Sequence, residues 1–395
     1  MSQGWRIVAA VFVLLTISSG LGFYNMSVYV VELSRALDVA VADISVAVSL
    51  FFVAGGVGGV LLARLIDRYD LRLIMCLGAL VAGLSLFAAG QTRSLGLVYT
   101  CFAVFGFSGA SVSLVTATTL VARWFPGPRQ ALAMSVAFTG LSLGGVLLTP
   151  FSAYLFNLLG PAQTFNWLAL MFLGVTIPCI LFFIRLPSTS AHPADPGVQH
   201  QAYRDTIRSR FFVLMAMGYV LCMAAQVGGI AHLYGRVESI GGYAGASYAV
   251  QVLSLGSIVG RLLGGFVAGM VRIKVFTLVM LVGQLCGLLV VGYADSLSMA
   301  LAGSLITGLS VGNLLMSQPL WLAQRCPPTV YARVYALANA VTVVGVASGP
   351  FVLGVLVDTA SYAHAYLTAG ALCATAWVVL YFAGREPRSG SVVKA

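Results

Sequence analysis

The chain has 395 residues, of which 60% are hydrophobic and only 8% are charged, and its formal net charge at pH 7 is +10. The mean hydropathy is +0.98. A soluble globular domain carries a far larger charged fraction. The composition therefore excludes a soluble enzyme or binding module and predicts a polytopic membrane protein.

Twelve apolar stretches are close to the roughly 20 residues that a helix needs to span a bilayer. In the first half they cover residues 5–30, 44–65, 73–89, 95–121, 131–158 and 165–184. In the second half they cover residues 211–234, 244–270, 275–293, 299–322, 334–357 and 363–383. The first stretch is too long for a signal peptide and has no small-residue cleavage site after it, so we expect it to be retained.

The polar segment between the sixth and seventh stretches indicates a flexible linker. We therefore predict an all-α membrane protein whose twelve transmembrane helices form two pseudo-symmetric six-helix bundles. Residues 1–186 form the first bundle, 187–210 a cytoplasmic linker, and 211–395 the second bundle with a short cytoplasmic tail.

The distribution of basic residues predicts the orientation. If the amino terminus is cytoplasmic, seventeen of the 21 lysines and arginines fall in loops and tails on that side, and only Arg35, Arg93 and Arg236 fall on the other. Because cytoplasmic loops carry the excess of basic residues, we expect both termini in the cytoplasm and the protein in the cell inner membrane. The basic residues form no single patch, so no nucleic-acid partner is expected.

The two halves look like repeats at an offset of about two hundred residues. The inner loop at 63–72 has a counterpart at 265–274. Matching glycines also precede a proline in the fifth and eleventh spans, namely Gly144, Gly145 and Pro150 in the first half and Gly345, Gly349 and Pro350 in the second. Parallel repeats of this kind are typical of secondary transporters.

The turn Asp67-Arg68-x-x-x-Arg72 between the second and third spans, together with the six-plus-six arrangement, resembles the signature of the major facilitator superfamily. Two positions depart from that signature, because Ala63 and Asp70 stand where glycines are expected. The resemblance covers essentially the whole chain. It implies the major facilitator fold and a gating role for Asp67, Arg68 and Arg72.

Within that superfamily, several motifs are similar to those of the monocarboxylate transporter and oxalate:formate antiporter group. They are Gly4-Trp5-Arg6, the segment 123–133, Gly140-x-x-x-Gly144-Gly145 and Gly260-Arg261. The resemblance implies that an arginine in the eighth span binds the substrate carboxylate. The lysine that oxalate-type exchangers carry in the eleventh span has no match here, since residues 335–349 contain only Asn339 and neutral side chains.

Arg261 lies in the middle of the eighth span, where a guanidinium cannot become neutral by losing a proton. It lies about 12 Å by helical rise from the inner surface, beyond comfortable reach for a snorkelling side chain. All eleven acidic residues lie near span ends or in loops. We therefore expect an anionic ligand to bind Arg261. A single cation favours a monoanion over a dianion.

Other polar residues of the spans are candidates for the same cavity. Ser257 lies one helical turn before Arg261 and can share its ligand, or it can hydrogen-bond its own helix. The remaining candidates, each of which could instead join helices, are Tyr24, Asn25, Tyr29, Gln226, Asn313 and Asn339. His232 is the one group within the spans that titrates near neutrality, which makes it a candidate for proton coupling.

The leading function is a secondary active transporter that moves a small organic monocarboxylate by alternating access, as a monomer, with protons or a counter-anion as the coupled species. One alternative is proton-coupled efflux of a toxic organic compound, and another is a membrane sensor that transports nothing. The seven cysteines and four histidines are dispersed. We therefore expect no metal site, no cofactor and no enzymatic activity.

Overall fold

The computed structural model describes residues 3–65, 69–125, 129–184, 196–268, 270–326 and 328–383. In the first half, α1 (Gln3–Ser19) passes through a π-helical turn (Gly20–Tyr24) into α2 (Met26–Leu37). Then follow α3 (Val41–Leu65), α4 (Leu71–Gln91), α5 (Leu95–Gly109), a 3-10 turn (Ala110–Val112), α6 (Leu114–Trp124) and α7 (Arg129–Phe183). The second half comprises α8 (Pro196–Arg208), α9 (Arg210–Ala231), α10 (Leu233–Ala268), α11 (Ile273–Gly292), α12 (Leu297–Arg325), α13 (Pro328–Thr359) and α14 (Tyr362–Ala383).

Ten helical stretches of the described chain are long and apolar enough to cross a membrane. Two of them, with 48 and 56 residues, are long enough to cross twice. Gly160 (φ 73°) breaks α7, and Gly242 (φ 65°) breaks α10, each in a left-handed backbone conformation that glycine adopts without a steric cost. The twelve predicted spans are therefore accounted for, and the predicted all-α membrane fold is confirmed.

Helix pairs within each half pack through glycines that allow the backbones to touch. In the α3 and α5 pair, a Cβ at Gly58 would overlap the Phe107 carbonyl; in the α10 and α12 pair, a Cβ at Gly260 would overlap the Leu309 carbonyl. Both residues of the second contact lie 202 positions after their counterparts in the first. The repeat seen in the sequence is thus also a repeat of contacts, since close helix packing depends on such small residues.

A second pair of contacts repeats between α7 and the π-helical turn after α1 in the first half and between α9 and α13 in the second. A Cβ at Gly20 would lie 2.9 Å from the Gly144 carbonyl oxygen, and one at Gly228 would lie 2.8 Å from that of Gly349. The offsets are 208 and 205 residues. These registers allow residues of the two halves to be compared position by position.

We call the end of the bundle where α1 begins the proximal end, and the end where α2 finishes the distal end. At the distal end, the Arg35 guanidinium donates to both carboxylate oxygens of Glu238, at 2.9 and 2.5 Å. The Asp358 carboxylate accepts hydrogen bonds from the first backbone amides of α3, Val41 N and Ala42 N, at 3.3 and 2.6 Å. A carboxylate at a helix amino terminus is a favourable arrangement. These contacts join the two halves at the distal end.

The predicted flexible linker contains a helix, α8. Its Tyr203 and Ile207 pack against the core of the second half, and the Arg333 guanidinium of α13 lies 4.2 Å from the centre of the Tyr203 ring. An amphipathic helix of this kind forms because it has an apolar surface to cover. The linker sequence alone does not show that surface.

Candidate substrate-binding cavity

A cavity of about 950 Å³ lies between the two halves. Its described lining comes from α1 and the π-helical turn, α3, α5, the 3-10 turn, α6 and α7 in the first half and from α10, α12 and α13 in the second. It reaches Leu61, one helical turn from the proximal end of α3, while Gly56 of α3 and Val343 of α13 still touch deeper inside. The cavity therefore extends towards the proximal end, and the halves meet at the distal end.

Arg261 is the only charged residue among the described residues that line the cavity. Its side chain is 8% exposed, and one terminal nitrogen donates to the Phe138 carbonyl oxygen at 2.6 Å. Its Nε has no hydrogen-bond partner within the described chain. Arg261 thus lines the cavity with no acidic residue among the described lining, and its predicted role in binding an anion stays a prediction. A buried guanidinium with an unused donor is an incomplete site for an anion.

Several hydroxyl groups lie in the neighbourhood of Arg261. The Ser142 hydroxyl donates to the Ser257 hydroxyl at 3.1 Å, which links α7 of the first half to α10 of the second. The Tyr24 hydroxyl faces Arg261 and the hydroxyls of Ser142, Ser254 and Ser257. Ser257 is fully buried and lies beside Gly312. The hydroxyls can reorient to accept from the guanidinium or to donate to a ligand carboxylate.

Aromatic rings of the first half also line the cavity, and we call this set the aromatic wall. It consists of Phe23, Phe51, Phe52, Phe105 and Phe172. Neighbouring ring centres are 5.1 to 5.9 Å apart, mostly in edge-to-face contacts. Such contacts stabilise clusters of rings beyond the burial of their area. The wall is apolar, and all of its rings belong to the first half.

The structure places Asn339 of α13 in the cavity lining, with Tyr24, Ser257 and Arg261 close to each other on the other helices. Four other candidates do not line this cavity within the described chain. They join helices or lie in a bundle core: Asn25, Tyr29, Gln226 and Asn313.

The contacts of these four residues differ, and Asn25 and Asn313 hydrogen-bond neighbouring helices. The Asn25 amide nitrogen donates to the Ser152 hydroxyl at 2.6 Å, and that of Asn313 donates to the Gly260 carbonyl oxygen at 2.8 Å. Tyr29 lies among the rings of Phe102 and Phe165. Gln226 is fully buried, and its amide group has no partner in the described chain. Interhelical hydrogen bonds explain two of these side chains, and we have no physical account of Gln226.

His232 is 1% exposed and lies at the carboxyl end of α9, outside the cavity lining. Its Nε2 is 2.9 Å from the Pro350 carbonyl oxygen, while Nδ1 has no partner in the described chain. Because a carbonyl oxygen only accepts, the proton must lie on Nε2. The ring joins α9 to α13, and its role in proton coupling stays a prediction.

Of the predicted gating residues, Asp67 and Arg68 lie outside the described residues. Arg72 lies at the start of α4, and its Nε donates to the Ile184 carbonyl oxygen at the end of α7. The Asp70 carboxylate accepts from the Arg72 backbone amide and caps α4. Arg72 therefore joins two helices of the first half, and a gating role stays a prediction.

The sequence reasoning missed the aromatic wall, Ser142, Ser254 and the Phe138 carbonyl. The adjacent pair Phe51-Phe52, directly before the glycines of α3, was an available signal. The other contacts are made by α7 and α10, which are more than one hundred residues apart in sequence. No local pattern reveals such a pairing.

Comparison with known proteins places these observations in a family. The sequence profile of the Major Facilitator Superfamily matches residues 12–342. Among solved structures, that of the nucleoside transporter NupG (D323A mutant) superposes with a TM-score of 0.78 at 12% identity, covering 96% of this chain and 100% of that one. At such identity the likeness concerns the fold alone.

Among curated sequences, human monocarboxylate transporter 1 is 24% identical over 197 residues, which is 49% of this chain and 38% of that protein. The agnestins efflux protein AgnL12 of Paecilomyces divaricatus is 26% identical over 203 residues, 50% of this chain and 45% of that protein. The chain thus matches less than half the length of each of these relatives.

Proposed function

The chain belongs to the Major Facilitator Superfamily, and on that premise we propose that it is a secondary active transporter for a small organic monocarboxylate. One observation carries the proposal. Arg261 lines a cavity between the two halves, its buried Nε has no hydrogen-bond partner in the described chain, and no carboxylate lies among the described lining residues. A carboxylate ligand would complete the hydrogen bonding of the guanidinium and neutralise its charge.

Alternating access gives the Arg261 contact a mechanical role. The guanidinium of the second half is hydrogen-bonded to the Phe138 carbonyl of the first half. A substrate carboxylate is a stronger acceptor than a backbone carbonyl, so its binding to the free donors weakens the bond to the Phe138 carbonyl. Substrate binding thereby loosens the contact between α7 and α10 at the site itself.

Alternating access also requires that the contacts at the distal end break. Opening the distal end breaks the Arg35–Glu238 pair and removes Asp358 from the amino terminus of α3. Both contacts are at the surface, where single ion pairs contribute about 0–1 kcal/mol. Because these contacts are weak, the distal end can open without a large energy barrier. If the proximal end is cytoplasmic, as the basic loops predict, this is the inward-facing state, in the cell inner membrane.

Substitution of Arg261 tests the proposal. In proteoliposomes, Arg261→Gln should reduce counterflow of a labelled monocarboxylate by about 100-fold or more, because the site loses its charge and its bidentate donors. Arg261→Lys should restore only part of it, since an ammonium lacks the planar fork. Arg93→Gln, at an exposed position, is the matched control. Wild-type counterflow by the Gln variant would exclude the anion site.

Efflux of an organic compound is the second candidate. The apolar lining of the cavity and the similarity to the agnestins efflux protein favour it. The Arg261→Gln variant separates the two, because export of a neutral or cationic compound does not need the guanidinium. A sensor that transports nothing is not favoured for a member of this family.

A further inference from the structure

We infer that the transported monocarboxylate carries an aromatic ring, which packs against the aromatic wall while its carboxylate binds Arg261. This inference rests on the proposed monocarboxylate site and adds a substrate class to it. Two features of the cavity carry the argument. They are the chemistry of its first-half side and the continuity between that side and the guanidinium.

The rings of the wall are available to a ligand. Phe23, Phe51 and Phe52 are only partly buried and line the cavity. Gly22 also lines it, and a Cβ at Gly22 would lie 3.1 Å from the Phe51 ring and 3.9 Å from the Phe105 ring. The glycine therefore lets the backbone pack closely against these rings, and Phe51 stays partly exposed at the cavity. A ligand ring can join them in edge-to-face geometry, as they already join each other.

Tyr24 connects the wall to the cation. Its ring centre is 5.1 Å from that of Phe23, and its hydroxyl faces Arg261. Tyr24 thus lies beside the first ring of the wall and near the guanidinium. An arylalkanoate bound in this region can contact both. Its anion meets the one cation of the described lining, and its ring meets the wall.

A very small carboxylate uses little of this cavity. The cavity volume of about 950 Å³ lies at the upper end of the roughly 300–1,000 Å³ typical of sites for drug-sized ligands. A propanoate ion bound at Arg261 would leave the wall in contact with water. Covering apolar rings with an apolar ligand is favourable in proportion to the area removed from water.

Matched ligands test the inference on the purified full-length protein in nanodiscs. We compare 3-phenylpropanoate with propanoate, which lacks the ring, and with 3-phenylpropanamide, which lacks the charge. Calorimetry or thermal-shift titration gives each affinity. We expect 3-phenylpropanoate to bind about tenfold or more tightly than either partner, since each lacks one of the two contacts.

Gly109 provides a variant that probes the same volume without disturbing the fold. It lines the cavity one helical turn from Phe105, and a Cβ at Gly109 would have nothing within 4 Å. Gly109→Leu should weaken 3-phenylpropanoate about tenfold and propanoate less than about twofold, because only the larger ligand needs the filled space. Gly174→Leu is the matched control, since its Cβ also meets nothing and the residue does not line the cavity.

Phe52→Leu removes one ring of the wall and keeps an apolar side chain. It should reduce the preference for 3-phenylpropanoate over propanoate by about threefold or more. Phe87→Leu is the control, because Phe87 is 45% exposed on α4 and does not line the cavity.

The outcomes separate the two proposals. Equal affinities for propanoate and 3-phenylpropanoate, both lost in Arg261→Gln, would overturn the aromatic substrate and leave the anion site standing. Equal losses for the two acids in Gly109→Leu would also overturn it. If neither acid binds, or if Arg261→Gln binds both acids normally, the anion site itself fails, and the aromatic monocarboxylate fails with it.

Discussion

The two halves share their helix contacts and differ in the side chains that they present to the cavity. The contacts of Gly58 with Phe107 and of Gly260 with Leu309 recur at an offset of 202 residues. In the same register, Arg261 corresponds to Gly59, and both line the cavity. One half therefore supplies a cation at a position where the other supplies no side chain at all.

The aromatic wall shows the opposite asymmetry. At the 202-residue offset, three of its rings have small or aliphatic counterparts: Phe51 corresponds to Leu253, Phe52 to Ser254 and Phe105 to Thr307. The glycine contacts common to both halves determine where the helices touch. The side chains that differ between the halves determine where charge and apolar surface lie. A duplicated scaffold thus forms a site with two chemically distinct sides.

The largest effect should be the difference in affinity between a dicarboxylate and a monocarboxylate, because the described lining offers a single cation. A dicarboxylate at Arg261 leaves one charge uncompensated in a site of low dielectric, which costs several kcal/mol. We expect fully ionised dicarboxylates to compete about 100-fold less well than monocarboxylates of matched size, measured by displacement at about pH 7.5.

Asn339→Lys should narrow this difference, because Asn339 lines the cavity on α13 and a lysine there adds a second cation. We expect an improvement for the dicarboxylate of about tenfold relative to the monocarboxylate. Strong dicarboxylate binding by the native protein would show that another positive group reaches the site.

An intermediate effect, on stability, should come from the equivalent glycine contacts of the two halves. Gly58→Ala and Gly260→Ala each place a methyl group against a backbone carbonyl of the partner helix. Each should lower the free energy of unfolding by about 1–3 kcal/mol, and by similar amounts, since the contacts are equivalent. Thermal unfolding in detergent measures both.

Gly174→Ala is the control, because a Cβ there meets nothing within 4 Å. It should leave the midpoint temperature unchanged or slightly raised. A loss of stability in only one of the two glycine variants would show that the halves are less equivalent than their contacts indicate.

The smallest effect concerns Tyr24 and His232, which correspond at the 208-residue offset of Gly20 and Gly228. Tyr24→Phe removes a hydroxyl that faces Arg261 and should weaken monocarboxylate binding about fivefold, whereas Tyr29→Phe, in the bundle core, should not. His232→Asn should leave affinity within about twofold and lower stability by about 1 kcal/mol, through the lost bond to Pro350.

The pH dependence of uptake by the His232 variant decides its second role. A shifted profile with unchanged exchange at fixed pH would establish proton coupling through the ring. An unaltered profile would leave His232 only the function of joining α9 to α13.

Hydrophobicity and periodic glycines were sufficient to predict the twelve spans, the two related halves and Arg261 as the exceptional residue. The reason is that each is a local property of the chain: a span needs about 20 apolar residues, and a charge inside one is anomalous wherever the helix packs. Asn339 lines the cavity and Ser257 lies one helical turn from Arg261, while a role of either in binding substrate stays a prediction.

Only the tertiary structure decided which polar residues reach the cavity and which join helices. Asn25 and Asn339 are the same residue type in similar apolar surroundings, yet the first bonds Ser152 and the second lines the cavity. The difference depends on how each helix is rotated about its axis, and packing against distant helices sets that rotation. The sequence by itself determined the membrane fold and its buried cation, and the packing of the two halves determined what faces that cation.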